Sequence, residues 1–313
     1  MLAIVCPGQG SQTPGFLAPW LELPGTRDRL VRLGDAARLD LVEHGTTSDA
    51  DTIKDTAVAQ PLIVAAGLVS LGALFGGEST AAVDVWAGHS VGEITAAAAA
   101  GVLPEEQAMG FVRERGQGMA AASAVTPTGM SAVLGGDEAE VLATIERHGL
   151  TPANVNGGGQ IVAAGTLEQL AAFAADPPAK ARVIPLQVAG AFHTAHMAPA
   201  VDALNRLATD LTPADPHGNL LSNADGQVVT NGADVLARLV GQVSNPVRWD
   251  LCMQTMLDLG VTGLIEVSPA GTLVGLAKRA MKGVPAVALK TPDDLDAARD
   301  VIREHAGISH PTD

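Results

Sequence analysis

Gly88-His89-Ser90-Val91-Gly92-Glu93 stands between an apolar run, Ala81 to Ala87, and the alanine-rich stretch Ile94 to Ala100. The run carries Val83, Val85 and Trp86, so the whole reads as a strand, a tight turn and a helix start. A serine between two glycines at such a junction can occupy a strained turn, because Gly88 and Gly92 have no side chain to hold strand and helix apart. Its hydroxyl then stands clear above the sheet edge, with helix N–H groups close by for a developing oxyanion. Ser90 is therefore a candidate nucleophile. A small-residue turn that merely packs a helix on a strand leaves the same pattern, so the rest of the chain must decide.

The chain has 313 residues, enough for one large domain or two smaller ones. Hydrophobic residues make up 47% and aromatics 3%, without a single tyrosine, so the core must come from Ala, Val and Leu, as suits helices on a parallel sheet. The formal net charge of -15 argues against nucleic acid as a partner, because neutralising phosphates needs clustered Lys and Arg. Two cysteines, Cys6 and Cys252, suggest buried thiols in a reducing compartment rather than a disulfide framework. Met1 to Cys6 lacks the basic start of a signal peptide, and no apolar run is expected to reach the length of a membrane span. The expectation is a soluble, cytoplasmic monomer with no membrane partner.

Leu2 to Cys6 reads as a short apolar strand running into Pro7-Gly8-Gln9-Gly10-Ser11-Gln12. That places Gln9 at the C-terminal edge of a strand, where open α/β sheets bind ligands. Residues 24 to 56 are polar and helical in parts, and Thr56 to Leu74 carries an apolar helix face that begins after Gln60-Pro61, with the proline in a first turn. Gly76 to Thr80 reads as a loop. Pro104 opens a helix running to Met119 that carries Arg113 and Arg115. Two residues apart, these point to different faces, so only one can reach a pocket.

From Gly129 to Val188 the pattern is β-α-β-β-α-β, the order of a ferredoxin-like unit. An inserted subdomain over residues 126–189 is expected, with 1–125 and 190–313 forming one large catalytic domain and a small-molecule cleft between them. The chain returns through Phe192-His193-Thr194-Ala195-His196, where either histidine could serve as a base. Leu220 to Thr230 reads as a hairpin turning at Asp225-Gly226 in a type I′ turn. Gly241 to Trp249 is a loop entering a helix near Asp250, Gly263 to Val267 and Val284 to Leu289 are strands, and Thr291-Pro292 caps a final helix.

Six motifs stand in order: Pro7 to Gln12, Gly88 to Glu93, Arg115-Gly116-Gln117-Gly118-Met119, Ala191-Phe192-His193, Gln242 with Asn245-Pro246-Val247-Arg248-Trp249, and Glu266-Val267-x-Pro269. Together they resemble the malonyl-CoA:acyl carrier protein transacylase family, over residues 4 to about 290. Asn154-Val155-Asn156 with Gln160 matches the inserted subdomain of that family. The resemblance implies an α/β-hydrolase-like large domain with a mostly parallel sheet plus a ferredoxin-like insert. It implies Ser90 as nucleophile, His193 as base, the backbone carbonyl of Gln242 as the group orienting the imidazole, and the N–H groups of Gln9 and Val91 as oxyanion hole. Arg115 would hold the free carboxylate of malonate, Phe192 would leave little room for an α-methyl branch, and Asn156 and Gln160 would line the substrate site. No metal and no bound cofactor is implied: the CoA thioester is substrate, and the phosphopantetheine arm belongs to the carrier protein, a transient partner. His89 and His196 are read as structural. Lys180, Arg182, Lys278, Arg279 and Lys282 are docking points for an acidic carrier or solvated helix ends. A serine esterase or thioesterase using the same turn is the competing class, and a non-catalytic carrier-binding subunit the third.

Overall fold

A run such as Leu2–Cys6, apolar at every position, suits a strand buried on both faces, and all five of its residues are buried. The computed structural model describes residues 1–76 and 80–307, so positions 77–79 of the loop expected over Gly76 to Thr80 lie outside the described residues. The strands are β1 (Leu2–Cys6), β2 (Val85–Gly88), β3 (Thr128–Gly135), β4 (Thr151–Gly157), β5 (Gln160–Thr166) and β6 (Ala181–Pro185). They continue with β7 (Asn219–Leu221), β8 (Val228–Val229), β9 (Val247–Arg248), β10 (Gly263–Glu266) and β11 (Ala286–Ala288). The helices are α1 (Thr26–Ala37), α2 (Leu41–Thr46), α3 (Ala50–Lys54), α4 (Thr56–Phe75), α5 (Gly92–Ala99), α6 (Glu105–Ser123) and α7 (Glu138–Arg147). After them come α8 (Leu167–Ala175), α9 (Ala198–Ala208), α10 (Gly232–Gly241), α11 (Trp249–Asp258), α12 (Thr272–Ala280) and α13 (Leu295–His305).

The larger sheet has the order β11-β10-β1-β2-β7-β8. Every pairing in it is parallel except β7 with β8, so the mixed α/β class with a mostly parallel sheet is what the structure has. Strand β1 lies between β10 and β2, which brings Gln9 and the Gly88–Glu93 turn to the same edge. The second sheet has the order β6-β3-β5-β4-β9. Its first four strands pair antiparallel, in the arrangement of a ferredoxin-like unit, over a core of its own that includes Val133, Val141, Ile145, Leu150 and Phe173. The fifth strand, Val247-Arg248, was expected as loop; it lies parallel beside β4, pairing Val247 with Asn154. Two residues are too few to leave a periodic signature.

Three local expectations are corrected. Helix α4 begins at Thr56, capped by the Asp55 carboxylate on the Ala57 N–H at 2.8 Å, so Pro61 sits in its interior and not in a first turn. The proline leaves Ala57 without one helical donor, and the rest of the buried helix holds it. With 20 residues α4 is also long and apolar enough to cross a membrane, contrary to expectation; it is a core helix, buried along most of its length. The hairpin of β7 and β8 forms, but not with a type I′ turn. Ser222 N–H still pairs with Gln227 at 3.0 Å, and of Asp225 and Gly226 only the glycine has a positive φ, whereas type I′ needs both. The turn is widened because Asn223 is drawn toward Ser90 and Glu93, and Asp225 toward Arg238, whose Nη1 donates to both carboxylate oxygens.

Candidate active site

Strand β2 ends at Gly88 and α5 begins at Gly92, so the chain reverses within three residues. A Cβ on Gly88 would lie 2.0 Å from the carbonyl carbon of Gly92, and one on Gly92 would lie 2.1 Å from the Cys6 oxygen. Neither position admits a side chain. Ser90, at the apex, has φ of 54°, left-handed backbone that a non-glycine residue holds only when its surroundings over-determine it. Asn223 does much of that work: its Oδ1 accepts from Ser90 N–H at 2.8 Å while its Nδ2 donates to the Gly88 carbonyl at 2.7 Å.

Ser90 Oγ is 2.7 Å from His193 Nε2. His193 Nδ1 is 2.9 Å from the backbone oxygen of Gln242. A carbonyl only accepts, so Nδ1 carries the hydrogen and Nε2 is the free acceptor for the serine hydroxyl. Burial, and after it the charge of Arg115, pushes the His193 pKa down to about 3, so the ring is neutral. His196, the other candidate base, lies outside the cleft lining.

Of the two arginines, Arg115 turns inward and is 1% exposed. Its Nη1 donates to Gln60 Oε1 at 2.7 Å, and its Nη2 to Gln242 Oε1 at 2.5 Å and to Ser90 Oγ at 3.3 Å. Burial lowers its pKa to about 10, which leaves it charged. Arg113 instead pairs with Glu114 on the other face. Gly116 lets α6 close on α4, since a Cβ there would sit 2.9 Å from the Thr56 oxygen; that approach delivers Arg115 to Gln60.

A cleft of about 240 Å³ opens over the serine. Gln9, His89, Ser90, Asn156, Gln160, Phe192 and His193 line it, with Leu273 and Leu276 of α12 as an apolar wall. The N–H groups of Gln9 and Val91 have no hydrogen-bond acceptor among the described residues. The loop before α12 is tied down by buried Glu266, which accepts from the N–H groups of Gly271, Leu273 and Val274.

Four residues of the site were not legible in the sequence. His89, read as structural, lines the cleft and bonds through Nε2 to Asn156 Oδ1 at 2.8 Å. Gln60 and Asn223 hold Arg115 and the serine turn. Glu93 is a carboxylate only 5% exposed that accepts from Asn223 N–H at 2.6 Å and from the side-chain amide of Gln242. Burial pushes its pKa up to about 7, against these bonds and the charge of Arg115. The signals available were that Glu93 closes the Gly88 to Glu93 motif and is an acidic residue in the first turn of an alanine-rich helix, and neither names its distant partners.

The acyl transferase domain family matches residues 3–301 of the chain. A malonyl CoA-acyl carrier protein transacylase of Mycobacterium tuberculosis (strain ATCC 25618 / H37Rv) is 54% identical over 297 residues, 95% of this chain and 98% of that protein. The crystal structure of MCAT from Mycobacterium tuberculosis superposes with a TM-score of 0.92 at 54% identity, covering 95% of this chain and 99% of the other. A malonyl-transacylase solved in complex with its type II PKS acyl-carrier protein has a TM-score of 0.88 at 29% identity, over 96% and 99% of the two chains. With near-complete coverage in sequence and in fold, the chain belongs to the malonyl CoA-acyl carrier protein transacylase family of acyltransferases.

Proposed function

We propose that this protein moves a malonyl group from malonyl-CoA to the phosphopantetheine thiol of an acyl carrier protein, through a malonyl ester on Ser90. Ser90 Oγ attacks the thioester carbonyl as its proton passes to His193 Nε2, and the N–H groups of Gln9 and Val91 receive the oxyanion. Collapse breaks the C–S bond, and the departing CoA sulfur takes the proton from His193. The carrier's thiol then gives its proton to His193 and attacks the ester, and Ser90 leaves with that proton restored. The Gln242 carbonyl keeps the imidazole in the tautomer both halves need.

Arg115 is assigned the malonyl carboxylate, because a planar guanidinium matches a carboxylate fork. Phe192 limits branching at the α-carbon, and Asn156 and Gln160 shape the cleft around the acyl chain. Residues 1–125 and 190–313 act as one catalytic domain and 126–189 as the insert that closes its mouth. The chemistry needs only these groups, with CoA as part of the substrate and phosphopantetheine brought by the partner. We assign the protein to the cytoplasm as a monomer feeding fatty-acid or polyketide synthesis.

The observation that carries this reading is that Ser90 Oγ lies within 2.7 Å of His193 Nε2 and 3.3 Å of Arg115 Nη2, so nucleophile, base and cation share one site. Intact mass after mixing with malonyl-CoA tests it: a malonyl adduct on the wild-type chain, absent in Ser90→Ala and discharged by carrier protein, is expected. No adduct on the wild type, or an adduct lost to water faster than to carrier protein, would overturn it, the latter in favour of an esterase.

A further inference from the structure

The side-chain amide of Gln242 can sit in two orientations of almost the same shape, with oxygen and NH2 exchanged, and its neighbours decide between them. On one side stands Arg115, which can only donate. On the other stand Ser90 O, 2.7 Å from Nε2, and the carboxylate of Glu93. The second oxygen of Glu93 accepts from Asn223 N–H, the residue whose side chain holds the serine turn. Glu93 therefore faces two donors and ties the turn, through Asn223, to the guanidinium, through Gln242. It forms no ion pair among the described residues. One amide thus stands between Glu93 and Arg115, and no carboxylate among the described residues occupies the guanidinium's fork.

We propose that Glu93 is a positioning residue for malonyl selectivity: it locks the Gln242 amide with its oxygen toward Arg115, and so aims the guanidinium at the substrate carboxylate without neutralising it directly. The inference rests on Arg115 being the malonyl-binding group.

Glu93→Gln tests it with almost no change of shape. One acceptor becomes an NH2, which must then face Asn223 N–H or the Gln242 amide, donor against donor; turning the Gln242 amide over relieves the clash only by pointing its NH2 at Arg115. The ratio of kcat/KM for malonyl-CoA to that for acetyl-CoA is expected to fall about 30-fold, mainly through a raised KM for malonyl-CoA. Equal losses for both thioesters, as a merely structural carboxylate would give, overturn the proposal, and so does an unchanged ratio. Glu93→Asp, measured alongside, keeps the carboxyl group but withdraws it from Gln242 by one methylene; it is expected to raise the malonyl-CoA KM several-fold, and an unaltered KM overturns the proposal even if the glutamine variant does not fold. Arg115→Ala separates the two readings. If it keeps the malonyl preference, the assignment of Arg115 itself fails; if it loses the preference while Glu93→Gln retains it, only the role of Glu93 falls.

Discussion

Replacing Arg115 by alanine removes a buried cation 3.3 Å from Ser90 Oγ, and the contacts it makes set the size of the loss. Two buried acceptors, Gln60 Oε1 and Gln242 Oε1, lose their donors, at about 1–3 kcal/mol each. Relief from burying a guanidinium offsets part of that, since its burial is costly enough to lower its pKa to about 10. The effect on stability is therefore moderate and the variant should fold. The effect on substrate is larger. A malonyl carboxylate entering this pocket without a partner forgoes about 3–5 kcal/mol, which is roughly 10²- to 10⁴-fold in kcat/KM. Acetyl-CoA has no such group, so its loading should fall far less and the preference for malonyl-CoA should collapse. Steady-state transfer with each thioester, with circular dichroism to confirm the fold, measures this. A variant that remains folded and still discriminates as the wild type does would refute the reasoning.

Two further outcomes are expected from the geometry. Gly92→Ala drives a Cβ to 2.1 Å from the Cys6 oxygen, a backbone atom of the central strand that cannot give way, so a loss of about 1–3 kcal/mol or more, with a lowered Tm and no acyl adduct, is expected; wild-type melting with full acylation would contradict the account of the turn. The His193 ring, its pKa pushed down to about 3, should show no midpoint between pH 8 and 5 by NMR, and a midpoint near 6.5 would contradict its burial. The sign for stability is fixed by the same shift. The native ring refuses a proton that the unfolded chain accepts below about pH 6.5, so its contribution is intact above that pH and drains away as pH falls toward 3. The wild type should lose stability relative to His193→Ala across that window.

The parts legible in the sequence are those whose cause is local. Gly88 and Gly92 around Ser90, the apolar run of β1 and the β-α-β-β-α-β order each leave a pattern within a few residues of themselves. The two arginines were separable in principle by helical phase, and the structure turns Arg115 inward and Arg113 out. What escaped depends on partners far along the chain. Asn223 meets Ser90 across 133 positions and Glu93 meets Gln242 across 149, and no window of residues contains both. The Asp225-Gly226 turn departs from type I′ for a related reason: Asn223 is held by Ser90 and Glu93 more than a hundred positions away, and Asp225 by Arg238 thirteen positions on, and these partners override the local preference of the dipeptide. Pro61 was misplaced because a buried helix tolerates inside it a proline that an isolated helix would start with.

The placement of β9 bears on how the site is joined to the second sheet. Gln242 precedes β9 by five residues, and β9 pairs with β4, the strand that carries Asn156. A backbone seam two residues long therefore stitches the segment whose carbonyl meets His193 to the strand whose side chain meets His89.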